Sequence, residues 1–343
     1  MTQQEWSREL LKLKANVVNA IRARMREFGA LESYYPKITG GTGACENVPT
    51  AFILKNTRHV SYLSQTDQLL MEAEILEYDL PAVWTIGRSY RNEPRAGDGR
   101  HLAEFALLEF EARDMDLAGL VEFQQELLNL AMDVALSSPI VPEEHKERLQ
   151  RFLKRPAPVI TYSDILKRLN NGGVSIKWGE DFRSAIEEMV CLIHEGPVQV
   201  THYPESIKFF NMYRSDRRPL PPGLSLEEYN ANRWTVDCVD FLLPWAGETF
   251  GASRREESYA TLCTKLRESQ MFRQMVQIRA NETNGGEVTP EVEEAAWRPF
   301  VPYLELFNPE TKPANRSVTR SGFGLGMGRL IQFLLGSTAV VAF

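Results

Sequence analysis

The most constraining feature of the sequence is a pair of strand-like runs, Ala82–Asn92 and Ala103–Arg113, joined by the loop Glu93–Leu102, which is rich in Gly, Asp and Arg. So short a connection makes the chain double back, and the runs pair as antiparallel neighbours. Their loop-proximal ends read Ser89-Tyr90-Arg91-Asn92-Glu93 and Arg100-His101-Leu102-Ala103-Glu104-Phe105, and the second run continues Leu108-Glu109-Phe110-Glu111. Alternate side chains on one face can point into a common cleft. With two or three loop cations, including Arg100 and His101, this forms a cradle for a polyphosphate. Arg91 can clamp a phosphate bidentately, Glu93 can accept a hydrogen bond from an adenine-type amine, and Phe105 offers a face for a base. A lone R-x-E pattern would read as a surface salt bridge; the density of matched features favours the cradle.

Around this hairpin the chain alternates helical and extended segments. Trp6, Leu10, Leu13, Val17, Ile21 and Phe28 recur at helical spacing, and Gly29 ends the run. Leu31–Thr66 has strand and turn character, Gln68–Tyr78 and Leu117–Leu136 are helical, and Ser137–Pro158 is a proline-bearing linker with a charged helical insert. Tyr162–Asn170 reads as helix, Pro197–Phe210 as strand, Arg217–Pro222 as a proline-rich loop, and Val236–Leu243 as strand. Glu256–Arg279 reads as one long charged helix, and Gly322–Leu335 as a glycine-rich strand turning into a helix. Strands at both ends with helices between predict an α+β fold, an antiparallel β-sheet flanked by helices. The expectation is a single domain over 1–343 with a helical insertion about 137–200.

Composition narrows the function classes. With 39 Lys+Arg against 46 Asp+Glu the net charge is −7, which argues against coating nucleic acid as the main task. No apolar run reaches the ~18 residues of a membrane span, and the first residues lack the form of a secretory signal. Four scattered cysteines without a CxxC pair argue against a zinc site and make a reducing cytoplasm the expected location.

The stretch Tyr90–Glu111 resembles the second motif of class II aminoacyl-tRNA synthetases of the asparaginyl/aspartyl branch. Gly322-Phe323-Gly324-Leu325-Gly326-Met327-Gly328-Arg329-Leu330 resembles their third. The first helix and the strand ending at Pro36 stand where the family places its dimer-forming first motif, so the resemblance implies a homodimer. Gly247–Glu256 is similar to the family's G-E-I-x-G-G-S-x-R-E segment, which includes Ser253. By resemblance, Glu248 helps hold Mg²⁺ on the phosphates of ATP, Arg255 reaches the substrate side chain and Arg329 grips the γ-phosphate. Arg91, Glu93, Arg100, His101, Phe105 and Ser253 complete the ATP site, with Arg91 and Arg329 as its catalytic pair. Tyr203-Pro204-Glu205-Ser206-Ile207-Lys208, also similar, is given only a structural role. Three departures stand out: Gly328 replaces an acidic residue, Thr319-Arg320 replaces Pro-His, and the tail lacks the P-F-P-R ending.

For the amino acid, the resemblance places Glu46 against the α-ammonium, with Thr66 and Gln68 in the pocket. Aspartate-specific relatives carry Lys where this chain has Met71; asparagine-specific relatives carry Glu where it has Glu72. Arg255 and Glu72 together would suit a carboxamide, the carbonyl taking Arg and the NH₂ taking Glu. Aspartate bound in reverse is a second solution, and a plain Glu72–Arg255 ion pair a third.

With the hairpin beginning near residue 88 and only residues 330–343 after Arg329, the expectation is a catalytic domain without the family's anticodon-reading barrel. The chain therefore resembles archaeal asparagine synthetases related to asparaginyl-tRNA synthetase. The expected function is an AMP-forming ligase that activates aspartate, asparagine or a close analogue and passes the acyl group to ammonia or another small amine. This reading disfavours tRNA as a partner without excluding it, and involves no membrane. The alternatives are a free-standing ligase charging tRNA or a carrier protein, and a non-catalytic nucleotide-binding paralogue.

Overall fold

A computed structural model describes residues 1–41, 48–54, 60–94, 101–217, 225–312 and 318–343. From the N-terminus run α1 (Gln3–Phe28), β1 (Leu31–Glu32), β2 (Ile38–Thr39), β3 (Ile53–Leu54), β4 (Ser61–Leu63), α2 (Gln68–Glu77), β5 (Ala82–Tyr90), β6 (Glu104–Arg113), α3 (Leu117–Leu136) and α4 (Glu143–Leu153). There follow β7 (Val159–Thr161), α5 (Tyr162–Asn171), α6 (Ser184–Ile193), β8 (Val198–Thr201), β9 (Arg214–Arg217), α7 (Leu226–Ala231), β10 (Trp234–Val236), β11 (Cys238–Leu243) and β12 (Gly247–Arg254). The last third adds α8 (Tyr259–Glu268), α9 (Gln270–Thr283), α10 (Pro290–Trp297), α11 (Val301–Glu305), β13 (Arg320–Gly326) and α12 (Met327–Leu335).

The main sheet has the order β1-β5-β6-β13-β12-β11-β8-β7. Its six central strands are antiparallel, whereas β1 joins β5 and β7 joins β8 in parallel, so the sheet is mixed at its edges. Because β7 lies within 137–200 and pairs in this sheet, the stretch read as a helical insertion also builds one sheet edge.

Alternation along the strands sorts two faces. Trp84, Leu108, Phe110, Phe323 and Leu325 enter the core shared with α1, α3 and α12, and Val83 enters the opposite core of α2 and α8–α11. Phe110 stacks on Phe323 at 5.3 Å, and Phe28 meets Phe110 edge-on at 5.3 Å; such pairs add about 0.5–1.5 kcal/mol each beyond burial.

Helix α1 starts at a capping box formed by Thr2 and Glu5 and ends on Gly29 at φ 86°, a left-handed cap. Its Leu13, Val17, Ile21 and Met25 are buried within this chain, and Arg24 ties α1 to α3 through both oxygens of Glu126 at 2.6 and 3.0 Å. Leu13 and Val17 therefore need no partner subunit to cover them, although Trp6 stays 38% exposed.

Three sequence readings shift. Pro197–Phe210 is strand only over Val198–Thr201, because Pro204 opens a 3₁₀ turn at Glu205–Ile207. Glu256–Arg279 forms two helices rather than one. Ser269 takes an extended ψ of 144°, and its Oγ caps α9 by accepting from Phe272 N at 3.0 Å. In Val236–Leu243, Val236 ends β10 in a separate two-stranded ribbon with β9, and β11 starts at Cys238.

Candidate active site

The site is built on the second face of the sheet. Strand register sets Thr85, Glu109, Gly324, Gly251 and Asp240 in one row across five strands. A second row runs Val83, Glu111, Gly322, Ser253 and Cys238. Glycines at every second position of β13 lower the floor on this face while Phe323 and Leu325 fill the core behind it. At Gly322 the need is absolute: a Cβ would meet Glu111 Oε1 at 2.1 Å and Phe110 O at 2.3 Å.

Over this floor lies a cavity of ≈ 280 Å³. Arg91, Glu93, His101 and Phe105 line it from the hairpin, Glu248 and Arg255 from β12 and its end, Arg329 from the first turn of α12, and Gln68 from the start of α2. Two larger grooves, ≈ 670 and ≈ 840 Å³, hold none of these residues. The Arg91 guanidinium sits 5.2 Å over the Phe105 ring, and its backbone N–H donates to Ala103 O at 2.8 Å, extending the hairpin ladder beyond β5. Arg329 donates through Nη1 to the backbone carbonyl of Glu248. Arg91 and Arg329, far apart in sequence, thus share one cavity.

Other expected site residues stand elsewhere. Thr66 is buried beside the cavity, its hydroxyl donating to Glu109, and Ser253 is buried with its Oγ accepting from Arg255 Nη1 at 2.6 Å. Glu72 lies behind the wall, fully enclosed. Its Oε1 accepts from Asn211 Nδ2 at 2.8 Å, and its Oε2 from Tyr303 OH at 3.0 Å and Arg320 Nε at 2.9 Å. Arg255 forms an ion pair with Glu72 at 3.8 Å and hydrogen-bonds Glu111 through Nε at 3.2 Å and through Nη2. The Glu72–Arg255 ion pair therefore forms as the longer contact of a larger cluster, with Arg320 and Glu111 as the hydrogen-bonded partners. Glu46 and Arg100 lie outside the described residues.

The sequence reading passed over several lining groups. Lys208, given only a structural role, reaches the cavity and donates to Asp240 Oδ2 at 2.6 Å, both side chains nearly buried. Burial alone would lower the Lys208 ammonium, but Asp240, Cys238, Glu248 and Asp181 outweigh it and hold its pKa above the usual value. Burial, opposed by Lys208, pushes Asp240 up to about 7. Glu109 rises to about 8 through burial and then through the charge of Asp67; Glu111 rises to about 7 through burial, opposed by Arg255. An acid in mid-strand among apolar neighbours, as in Val239-Asp240-Phe241, was the available signal.

Glu248, Asp240 and Asp181 put carboxylates on the cavity wall, yet among the described residues no group of three or more His, Cys, Asp or Glu could by itself hold a metal ion. That donor set fits Mg²⁺ carried in on phosphates, which needs only one or two protein carboxylates. At Gly328 a Cβ would stand 2.7 Å from Val341 O, so glycine there lets the tail cross the start of α12 and set Val340 on the cavity wall.

The family model for class II tRNA synthetases (D, K and N) matches residues 1–343. The chain belongs to that family. Among its relatives is the asparagine–tRNA ligase of Thermococcus kodakarensis, 30% identical over 337 residues, 95% of this chain and 65% of that protein. The asparagine–tRNA ligase of Desulfotalea psychrophila is 28% identical over 95% of this chain and 66% of its own length. Among solved structures, asparaginyl-tRNA synthetase from Pyrococcus horikoshii complexed with asparaginyl-adenylate superposes with a TM-score of 0.71 at 28% identity, covering 98% of this chain and 67% of that one. The chain thus spans about two thirds of the length of these relatives, and it has their catalytic fold of a mixed sheet flanked by helices. Among the described residues no helix is long and apolar enough to cross a membrane.

Proposed function

We propose that the chain is an AMP-forming ligase that activates aspartate, asparagine or a close analogue with ATP. The observation that carries this reading is the single cavity lined by Arg91 and Arg329 together with Phe105 and Glu248. The base of ATP stacks on Phe105 and its exocyclic amine donates to Glu93. Arg91 holds the α-phosphate, His101 lies beside it, and Arg329 holds the γ-phosphate at the far end, so the triphosphate bends. The carboxylate of the amino acid, held near Gln68 and Arg255, attacks the α-phosphorus in line, the bond to the β-phosphate oxygen breaks, and pyrophosphate leaves. No side-chain nucleophile is required; fixed guanidinium groups stabilise charge as it develops, which is positioning plus electrostatics. Mg²⁺, held by Glu248, would supply further charge neutralisation on the phosphates.

An amine or a hydroxyl then attacks the mixed anhydride and AMP departs. Ammonia or another small amine is one acceptor. The terminal hydroxyl of a tRNA is the other, and the relatives favour it, being asparagine–tRNA ligases; they give no support to setting tRNA aside. A homodimer fits the exposed Leu31, Tyr34 and Ile38 beside the edge strand β1. Amino-acid-dependent exchange of labelled pyrophosphate into ATP tests activation, and its absence with aspartate, asparagine and their analogues rejects the reading. Product analysis with ammonia or with tRNA then separates the acceptors.

A further inference from the structure

The side-chain end of the amino-acid pocket holds four fully buried charges, Glu72, Glu111, Arg255 and Arg320. Arg255 hydrogen-bonds Glu111 and stands in an ion pair with Glu72 at 3.8 Å, while Arg320 donates through Nε to Glu72 at 2.9 Å. Arg320 is itself fixed, its Nη2 donating to Glu256 O at 2.7 Å and its guanidinium lying 4.2 Å over the Phe307 ring. Tyr303 and Asn211 supply two more donors to Glu72. With three hydrogen bonds accepted and no exposure, Glu72 has no path to a ligand, whereas Arg255 lines the cavity.

Two consequences bear on what the pocket selects. A carboxamide offers an acceptor and two donors; its carbonyl can meet Arg255, but Glu72, the acceptor its NH₂ would use, is taken. An unpaired buried donor is costly. Arg320 also changes the local charge: with Glu111 ionised, as it is above pH ~7, Glu72, Glu111 and Arg255 alone sum to one negative charge, which repels an anionic side chain; with Arg320 the cluster is neutral and the repulsion is gone.

We propose that Arg320 is a positioning residue that sets side-chain specificity: by sequestering Glu72 it turns a pocket with the residues of a carboxamide site into one that takes a carboxylate, so the chain activates aspartate in preference to asparagine. This rests on the ligase reading above.

The test is pyrophosphate exchange with aspartate and asparagine on the full chain and on Arg320→His. The wild-type kcat/KM for aspartate should exceed that for asparagine by ~10-fold or more, the usual scale when a polar group loses its partner. Arg320→His should shift that ratio toward asparagine by ~10-fold or more, a change that a purely structural role would not produce. A wild-type preference for asparagine, or an unchanged ratio in a folded Arg320→His protein, overturns the inference. Should that variant fail to fold by circular dichroism, Glu72→Gln replaces it. Removing the Glu72 charge leaves the cluster with one net positive charge, so the ratio should move further toward aspartate by ~3-fold or more, and an unchanged ratio or a shift toward asparagine overturns the inference. Exchange with neither amino acid in folded wild-type protein rejects the ligase reading itself, and the specificity inference with it.

Discussion

Gly322 and Glu111 face each other across the β6–β13 ladder so closely that a β-carbon on Gly322 would lie 2.1 Å from Glu111 Oε1. The carboxylate that holds Arg255 thus occupies the space that a side chain at position 322 would fill. The carbonyl of Phe110, 2.3 Å from the same point, belongs to the sheet and cannot step aside. Gly322→Ala should destabilise the fold by about 1–3 kcal/mol, the range for overpacking a filled interior. Urea unfolding monitored by tryptophan fluorescence measures this; a midpoint equal to wild type would contradict the crowding.

On the proposed ligase reading, Arg91→Ala removes a fixed cation from the place where negative charge gathers during activation. Loss of one such preorganised donor lowers turnover by ~100-fold or more elsewhere, and the same is expected for pyrophosphate exchange here. Stability should change little, because the side chain lines a cavity rather than filling a core. Retention of exchange within ~10-fold of wild type would show that Arg91 does not hold the reacting phosphate.

Stability should fall as pH rises through neutrality. Glu109 is held at about 8 in the fold, against an ordinary value of 4.5, by burial first and the charge of Asp67 second. Between those limits the folded chain keeps a proton that the unfolded chain releases, so this contribution is complete below pH 4.5 and is lost as pH climbs through about 8. Glu111 and Asp240, each at about 7, act with the same sign over a narrower window. Denaturation at pH 6 and pH 9 should show the loss, and Glu109→Gln, which cannot titrate, should make it smaller. An equal pH effect in the two proteins would remove Glu109 from the account.

Gly328→Ala should loosen the tail. The new Cβ would sit 2.7 Å from Val341 O and 3.2 Å from Val340 Cγ2, and the tail is otherwise held to the domain by contacts such as Arg88 Nη1 to Phe343 O at 2.9 Å. Hydrogen–deuterium exchange read by mass spectrometry should show faster exchange at residues 337–343, with protection of β13 retained. Unchanged tail protection would mean that the close approach at Gly328 does not anchor it.

What could be read in advance was local. The α1 helix announces itself through Leu13, Val17 and Ile21 and its Gly29 stop, and the hairpin through two apolar runs around a polar loop. The glycine-rich strand was legible for the same reason: Gly322, Gly324 and Gly326 alternate with Phe323 and Leu325, and period two marks a face. The break at Ser269 escaped, because a serine inside a charged helical run looks like any other polar position until its extended ψ makes it a cap. Lys208 escaped because its value comes from Asp240, 32 residues away on β11.

By itself, then, the sequence determined most of the elements, the antiparallel centre of the sheet and a set of residues, Arg91, Phe105, Glu248 and Arg329, that share one cavity, since periodicity, turns and residue chemistry are properties of short stretches. Only the tertiary structure decided which buried charges pair. Glu72 and Arg255 were candidates for one another on chemistry alone; the fold keeps them in an ion pair at 3.8 Å but has Arg255 hydrogen-bond Glu111, and Glu72 accept from Arg320, 248 residues along the chain. Coulomb and hydrogen-bond energies depend on separations of a few ångströms, and those distances exist only once the strands are in register.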